Sequence, residues 1–154
     1  INYFLEQFRT TVFRQTMFAE FELIAHTMAE QGQPLTRESL SKAYYELNQK
    51  YYGAVCTVDE NIANEWMRIP HFYRAFYVFQ YATGYSAAIA LSRKILAEGK
   101  PAVERYLGFL SGGCSADPIT LLRGAGVDMA SPKPVEDATA LFDSLIGEME
   151  ELLK

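Results

Sequence analysis

The chain has 154 residues, of which 49% are hydrophobic and 21% are charged, a composition typical of a globular domain with a sizeable core. Its 14 basic and 19 acidic residues give a net charge of -5, which predicts no nucleic-acid partner because no basic patch is available to contact phosphates. No run approaches the roughly 18 consecutive apolar residues of a membrane span, and the two cysteines, Cys56 and Cys114, form no CxxC motif. We therefore expect a soluble chain with no membrane partner, in a reducing compartment.

Helical periodicity, capping residues and Gly or Pro breakers organise the whole chain. They predict helices over residues of about 2–31, 36–50, 59–67, 71–98, 100–110, 118–124 and 135–152. Thr36, Asp59 and Asp117 are expected to be N-caps, and Pro70 is expected in the first turn of the fourth helix. No segment has the pattern of a strand. The predicted fold class is all-α.

The first predicted helix is apolar on two faces. One face carries Leu5, Phe8, Val12, Ala19 and Leu23, and another carries Phe13, Met17, Phe21, Ile24 and Met28. Such a helix is usually buried between layers. Because the chain also opens on Ile1 without an initiator Met, we expect residues 1–154 to be a single helical region of a larger protein.

Residues that carry enzyme chemistry are few. The two histidines, His26 and His71, lie 45 residues apart and neither begins an HExxH motif, so no metal site is expected within the chain. Glu20 and Glu22 are the most conspicuous acidic pair, but residues two apart on a helix do not share a face. We expect these carboxylates to pair with basic groups such as Arg14 or to face solvent, rather than to act in catalysis.

The segment from His71 onward is the most distinctive. On a continuous helix, tyrosines at every fourth position would form a stripe of phenols, and they are Tyr73, Tyr77, Tyr81 and Tyr85. Phenols and a His ring N–H can donate hydrogen bonds to a developing oxyanion, and aromatic faces can hold apolar peptide side chains. From the residues alone we favour a different interpretation, in which the stripe is part of an aromatic core whose hydroxyls reach the surface.

Several strings of this sequence resemble those of the oligoendopeptidase F family, zinc metallopeptidases of the thimet oligopeptidase superfamily. They are FRTTVFRQTMFAEFE at 8–22, EW at 65–66, IPHFY at 69–73, YATG at 81–84 and AGVDM at 125–129. They occur in the family's order across nearly the whole chain, and they correspond to its C-terminal part. The fold that the resemblance implies is the multi-helical C-terminal portion of a larger, channel-forming, zincin-like peptidase.

The resemblance also implies a function. Enzymes of this family hydrolyse short peptides in the cytoplasm, and their zinc ligands, two His of HExxH and a later Glu, would lie upstream of this chain. The chain alone would therefore be inactive. By motif, His71 corresponds to the family's substrate-facing His and Tyr81 and Tyr77 to its catalytic tyrosines, with Tyr73 and Tyr85 as further substrate-binding candidates. The resemblance favours a substrate-facing role for His71 and at least one Tyr.

Two other functions remain open to the sequence alone. One is a non-catalytic α-helical module that binds a peptide or small ligand along the tyrosines, and the other is a purely structural helical domain. An HExxH motif followed by a Glu-bearing helix upstream would favour the peptidase. If the chain is a fragment, its partners are a short peptide and the remainder of the peptidase chain, and an uncovered apolar face should promote self-association.

Overall fold

The computed structural model describes all residues 1–154, and each of its regular elements is a helix. In chain order they are α1 (Asn2–Phe8), a π-helical segment (Arg9–Phe13), α2 (Arg14–Glu30), α3 (Arg37–Tyr52), two 3-10 helices (Glu60–Arg68 and Pro70–Tyr73), α4 (Phe79–Glu98), α5 (Lys100–Ser111), α6 (Pro118–Gly124) and α7 (Lys133–Leu152). The chain contains no strand. The predicted all-α class is confirmed.

Side-chain caps begin three of these helices, as the sequence predicts. Thr36 accepts a hydrogen bond from the backbone N–H of Ser39, and the Ser39 hydroxyl accepts one from the N–H of Thr36. The Asp59 carboxylate accepts the N–H of Asn61 at the start of the first 3-10 helix, and the Asp117 carboxylate accepts that of Thr120 at the start of α6. Each cap satisfies an N–H group that has no partner within its helix.

Removing the cap of α3 should have a measurable cost. We expect Thr36→Ala to lower the free energy of unfolding by about 1 kcal/mol, because the N–H of Ser39 loses its acceptor. Urea unfolding followed by circular dichroism measures the change. Thr57→Ala, in the loop after α3, is the matched control and should leave stability unchanged.

The predicted first helix is helical over the expected residues, but its hydrogen-bonding pattern changes twice. Between α1 and α2 the π-helical segment (Arg9–Phe13) accommodates an extra residue within the turn. Met17 and Phe21 are buried, as expected, whereas Leu23 is 58% exposed although it lies on a predicted apolar face. Only part of the predicted apolar surface of this helix is therefore covered within this chain.

The predicted continuous helix over 71–98 is wrong. Residues Pro70–Tyr73 form a short 3-10 helix, a turn follows, and α4 begins only at Phe79. Phe76 in this turn has a φ of 54°, which an α-helix does not accommodate. The four tyrosines consequently do not form one helical stripe, because Tyr73 and Tyr77 precede α4.

The backbone groups into two compact units, residues Arg9–Ala82 and residues Ile1–Phe8 with Thr83–Lys154. The Arg9–Ala82 unit has a core of seven buried residues, Met17, Phe18, Phe21, Tyr44, Leu47, Ile69 and Val78. Aromatic rings dominate this core: Phe21 meets the ring of Tyr44 with centroids 5.1 Å apart. Such edge-to-face pairs stabilise a core beyond their buried area.

A buried carboxylate connects three helices of the Arg9–Ala82 unit. Glu65 accepts hydrogen bonds from Arg14 of α2 at 2.7 Å and from the hydroxyl of Tyr44 of α3 at 2.6 Å, and it also pairs with Arg68. Burial alone would raise the pKa of Glu65, but the bonds from Tyr44 and Arg14 and the charges of Arg14 and Arg68 outweigh it and hold the pKa below its ordinary value. Burial together with the bond to Glu65 strongly raises the pKa of Tyr44.

The other unit contains α1, most of α4 and the helices α5 to α7. Phe8 is fully buried there, and its ring lies 5.1 Å from that of Tyr85 and 5.3 Å from that of Phe142. A second cluster joins Ala87 and Leu91 with residues 125 and 127.

Whether residues 1–154 form one region of a catalytic domain stays a prediction.

Candidate functional site

His71 lies on the short 3-10 helix Pro70–Tyr73, which is anchored on both sides of it. Ile69, just before the helix, is buried, and the ring of Phe72 lies 5.2 Å from the ring of Phe21. Pro70 at the first position fixes the backbone where a donor N–H is not needed. Ile69 and Phe72 thus fix the backbone on both sides of His71, which is half-buried.

Tyr77 and Tyr81 flank the start of α4. Val78, between them, is fully buried in the core, so the backbone is held close to both tyrosines. The N–H of Tyr81 donates to the carbonyl of Val78 at 3.2 Å. Tyr81 itself is 37% exposed, so its ring and hydroxyl remain accessible.

These elements bring His71, Tyr77 and Tyr81 together in one cluster. The hydroxyl of Tyr81 lies 3.3 Å from Nε2 of His71 and donates to the hydroxyl of Tyr77 at 3.4 Å. The three ring centroids are 5.6 to 5.9 Å apart, with the Tyr81 ring nearly perpendicular to the other two. We call these three residues the His–Tyr cluster.

The hydrogen bonds of the His–Tyr cluster are long. A hydroxyl usually lies roughly 2.7–2.8 Å from its acceptor, whereas Tyr81 lies 3.3 and 3.4 Å from its partners. Hydrogen bonds between catalytic groups are often long without substrate and tighten when it binds, so these lengths are compatible with a catalytic role. The cluster can thus redirect its hydroxyls to a ligand oxygen at little cost.

The Tyr81 hydroxyl remains a donor over the working pH range. The hydrogen bond with Tyr77 is the main cause that raises the pKa of Tyr81, with partial burial adding to it and the positive charge of Arg74 opposing it. A phenol with a raised pKa stays protonated at neutral pH. The guanidinium of Arg74 lies 5.9 Å from the centroid of the Tyr77 ring, which places a positive charge beside the cluster.

The two further tyrosine candidates are placed differently. Tyr73 is 85% exposed at the end of its 3-10 helix. Tyr85 belongs to the other compact unit, where its ring packs against Phe8 and burial raises the pKa of its hydroxyl. A substrate-binding role for either residue stays a prediction.

Glu20 and Glu22 of α2 have different kinds of partner, which the sequence did not predict. Glu20 accepts hydrogen bonds from Lys50 at 2.6 Å and Tyr51 at 2.8 Å, not from Arg14, whose partner is Glu65. Glu22 is 4% exposed and accepts a hydrogen bond from a backbone N–H, that of Phe76, at 2.5 Å. The expectation that Glu22 pairs with a basic group or faces solvent is wrong.

The residues of this chain do not fit a metal site on their own. No group of three or more His, Cys, Asp and Glu side chains lies close enough together to hold an ion. The imidazole of His71 lies beside the rings of Tyr77 and Tyr81, and its Nε2 has the Tyr81 hydroxyl as its neighbour. Phenols are poor zinc ligands beside His, Cys and carboxylates.

The Ile1–Phe8 and Thr83–Lys154 unit contains an apolar cavity of about 390 Å³. Its walls come from α4, α5 and α6, and they include Ala87, Leu91, Tyr106, Phe109 and Leu122. No charged side chain and none of the predicted site residues lines it. The cavity lacks the convergent polar groups that usually orient a ligand.

Comparison with known proteins shows the family. Residues 2–141 match the profile of Peptidase family M3. The chain belongs to this family of peptidases.

Individual relatives are similar over the whole chain. It is 60% identical to oligopeptidase PepF of Bacillus subtilis (strain 168), over 99% of this chain and 23% of that protein. It is 44% identical to the chromosomal oligoendopeptidase F of Lactococcus lactis subsp. cremoris, over 100% of this chain and 26% of that protein.

A solved structure has the same fold. The crystal structure of oligoendopeptidase-F from Enterococcus faecium superposes with a TM-score of 0.95 at 51% identity, covering 99% of this chain and 29% of that one. The chain thus spans about a quarter of the length of the relatives that it matches. None of its helices combines the length and apolar character that crossing a membrane requires.

Proposed function

We propose that this chain is the C-terminal part of a zinc-dependent oligoendopeptidase and supplies one wall of the channel in which short peptides are hydrolysed. Membership of a peptidase family and similarity to proteins named oligoendopeptidase F support this proposal. The observation that carries it is the His–Tyr cluster, in which the Tyr81 hydroxyl lies within reach of both His71 and Tyr77.

The role of the cluster is to bind the transition state. Peptide hydrolysis develops negative charge on the carbonyl oxygen, and donors that are already oriented stabilise it without reorganising. The Tyr81 O–H donates to Tyr77 in the free chain and would turn from it to the substrate oxygen, and His71 offers a ring N–H beside it. The exposed Tyr73 and the ring of Tyr85 are further candidates for contact with substrate side chains.

The zinc ion of the proposed enzyme would be bound outside residues 1–154. Because residues 1–154 provide no set of ligands, zinc would be held by the remainder of the peptidase chain, and the isolated fragment would be inactive. The partners are then that remainder and a short peptide, with no nucleic acid or membrane. We place the enzyme in the cytoplasm, and we expect the isolated fragment to self-associate through apolar surface such as that of Leu23.

The non-catalytic binding module is the alternative, and the experiment separates the two. In the full-length protein, His71→Ala should lower peptide turnover while the zinc content, measured by atomic emission, and the melting temperature stay near those of wild type. Unchanged turnover in both His71→Ala and Tyr81→Phe would show that the cluster does not act in hydrolysis. Absence of peptidase activity from the zinc-loaded wild-type protein would favour the binding module.

A further inference from the structure

The turn between His71 and Tyr81 has an unusual backbone. Phe76 has a φ of 54°, and it is the one residue other than glycine with a positive φ in the chain. A β-carbon makes this conformation unfavourable, and only Gly, and less often Asn or Asp, adopts it readily. An aromatic residue therefore stays there only if neighbouring groups hold it.

Two side chains of α2 hold Phe76. Oε1 of Glu22 accepts the backbone N–H of Phe76 at 2.5 Å, and the ring of His26, one helical turn further on, lies 4.5 Å from the Phe76 ring. Glu22 and His26 are four residues apart, so they share a face of α2. The direction of an N–H depends on the adjoining backbone dihedrals, so the carboxylate selects this particular conformation.

The conformation of the turn sets the geometry of the His–Tyr cluster. The N–H of Arg74 donates to the carbonyl of His71 at 3.0 Å, and the N–H of Tyr77 donates to the carbonyl of Arg74 at 3.2 Å. Ala75 and Phe76 link Arg74 to Tyr77, which lies just before α4. A change of φ at Phe76 would therefore turn Tyr77 and shift His71 relative to Tyr81.

Glu22 has no other role in the structure that would explain its burial. The carboxylate is 4% exposed and forms no ion pair, whereas Glu20 on the same helix pairs with Lys50. A buried carboxylate without a cation is costly unless it accepts hydrogen bonds. The bond with Phe76 is its partner in this unit.

We propose that Glu22 is a positioning residue for the His–Tyr cluster, acting through the strained turn at Phe76. The carboxylate holds Phe76 at positive φ, and this turn keeps Tyr77 and Tyr81 oriented toward His71. The inference rests on the function proposed above, since it assigns Glu22 to the same site. Glu22 acts through the backbone and does not itself meet the substrate.

The test uses the full-length peptidase with a fluorogenic peptide. Glu22→Ala is expected to lower kcat about 10- to 100-fold with KM nearly unchanged, because misplaced groups lose transition-state binding rather than substrate binding. Hydrogen exchange followed by mass spectrometry should show faster exchange of the Phe76 amide. Glu20→Ala is the matched control: it removes a carboxylate from the same helix and should leave both readouts unchanged.

Two further variants separate positioning from general destabilisation. Glu22→Gln keeps the shape and an acceptor oxygen, and it should retain most of the wild-type kcat, which also covers the case in which Glu22→Ala does not fold. In a Phe76→Gly background the Glu22→Ala change should cost far less, because glycine adopts a φ of 54° without strain.

The kinetic and exchange results together decide whether Glu22 positions the His–Tyr cluster. Wild-type kcat for Glu22→Ala, a loss of kcat without faster exchange at Phe76, or an equal loss in the Phe76→Gly background would overturn the positioning role. If Tyr81→Phe lowers turnover and Glu22→Ala does not, only this inference fails. If Tyr81→Phe and His71→Ala both keep wild-type rates, the proposed function itself fails.

Discussion

Tyr81→Phe is expected to lower the turnover of the full-length peptidase on the order of 100- to 1000-fold, the usual effect of removing one oxyanion donor. The change removes only the hydroxyl that lies 3.3 Å from His71 and donates to Tyr77 at 3.4 Å, and it leaves the ring in place. Because Tyr81 is 37% exposed and its ring stays in place, the fold should be unaffected. Steady-state kinetics on a short fluorogenic peptide measure the effect, which should fall on kcat and leave KM nearly unchanged.

A matched tyrosine controls for the loss of a phenol as such. The Tyr45 hydroxyl donates to the carbonyl of Val58 at 3.4 Å in the same unit, so Tyr45→Phe removes a comparable hydrogen bond away from the cluster. We expect Tyr45→Phe to keep wild-type turnover. Because Tyr81 and His71 act on one developing charge, the combined variant should lose less than the product of the two single losses. Strictly multiplicative losses would contradict a shared role.

Glu65→Ala is expected to destabilise the chain by about 3 kcal/mol, the lower end of the range for removing one partner of a buried ion pair. The substitution leaves the guanidinium of Arg14 without its acceptor and the buried hydroxyl of Tyr44 without its 2.6 Å bond. The lower end applies because Arg68 and part of Arg14 reach solvent and can be hydrated. Urea unfolding measures the change, with sedimentation to establish the same association state for both proteins.

The lowered pKa of Glu65 predicts that the stability of the chain depends on pH. The pKa of Glu65 is lower in the folded chain than its ordinary value of 4.5, so its contribution is complete above that value and is lost as the pH falls through the folded pKa. The stability difference between wild type and Glu65→Gln should therefore be largest near neutral pH and shrink in acid. Glu46→Ala, in an exposed pair with Lys42, is the control and should cause no measurable change. A difference that grows in acid would contradict this account of Glu65.

Local sequence signals predicted most helices because these signals act within one or two turns. Thr36, Asp59 and Asp117 cap their helices as expected, since a cap needs only a side-chain oxygen beside a free N–H. The predicted helix over 71–98 failed because periodicity does not report a single residue at positive φ. Nothing in the residue type of Phe76 indicates that conformation, which depends on the distant Glu22.

The sequence by itself determined the all-α class, the caps, the absence of an HExxH motif and the identity of His71, Tyr77 and Tyr81 as candidates. Those features depend on local composition and on strings shared with a family. Only the tertiary structure decided which phenols meet the imidazole and which acid is buried beneath the turn. Contacts such as that of Glu22 with Phe76 join residues 54 positions apart, and folding brings such pairs together through core packing that no local pattern specifies.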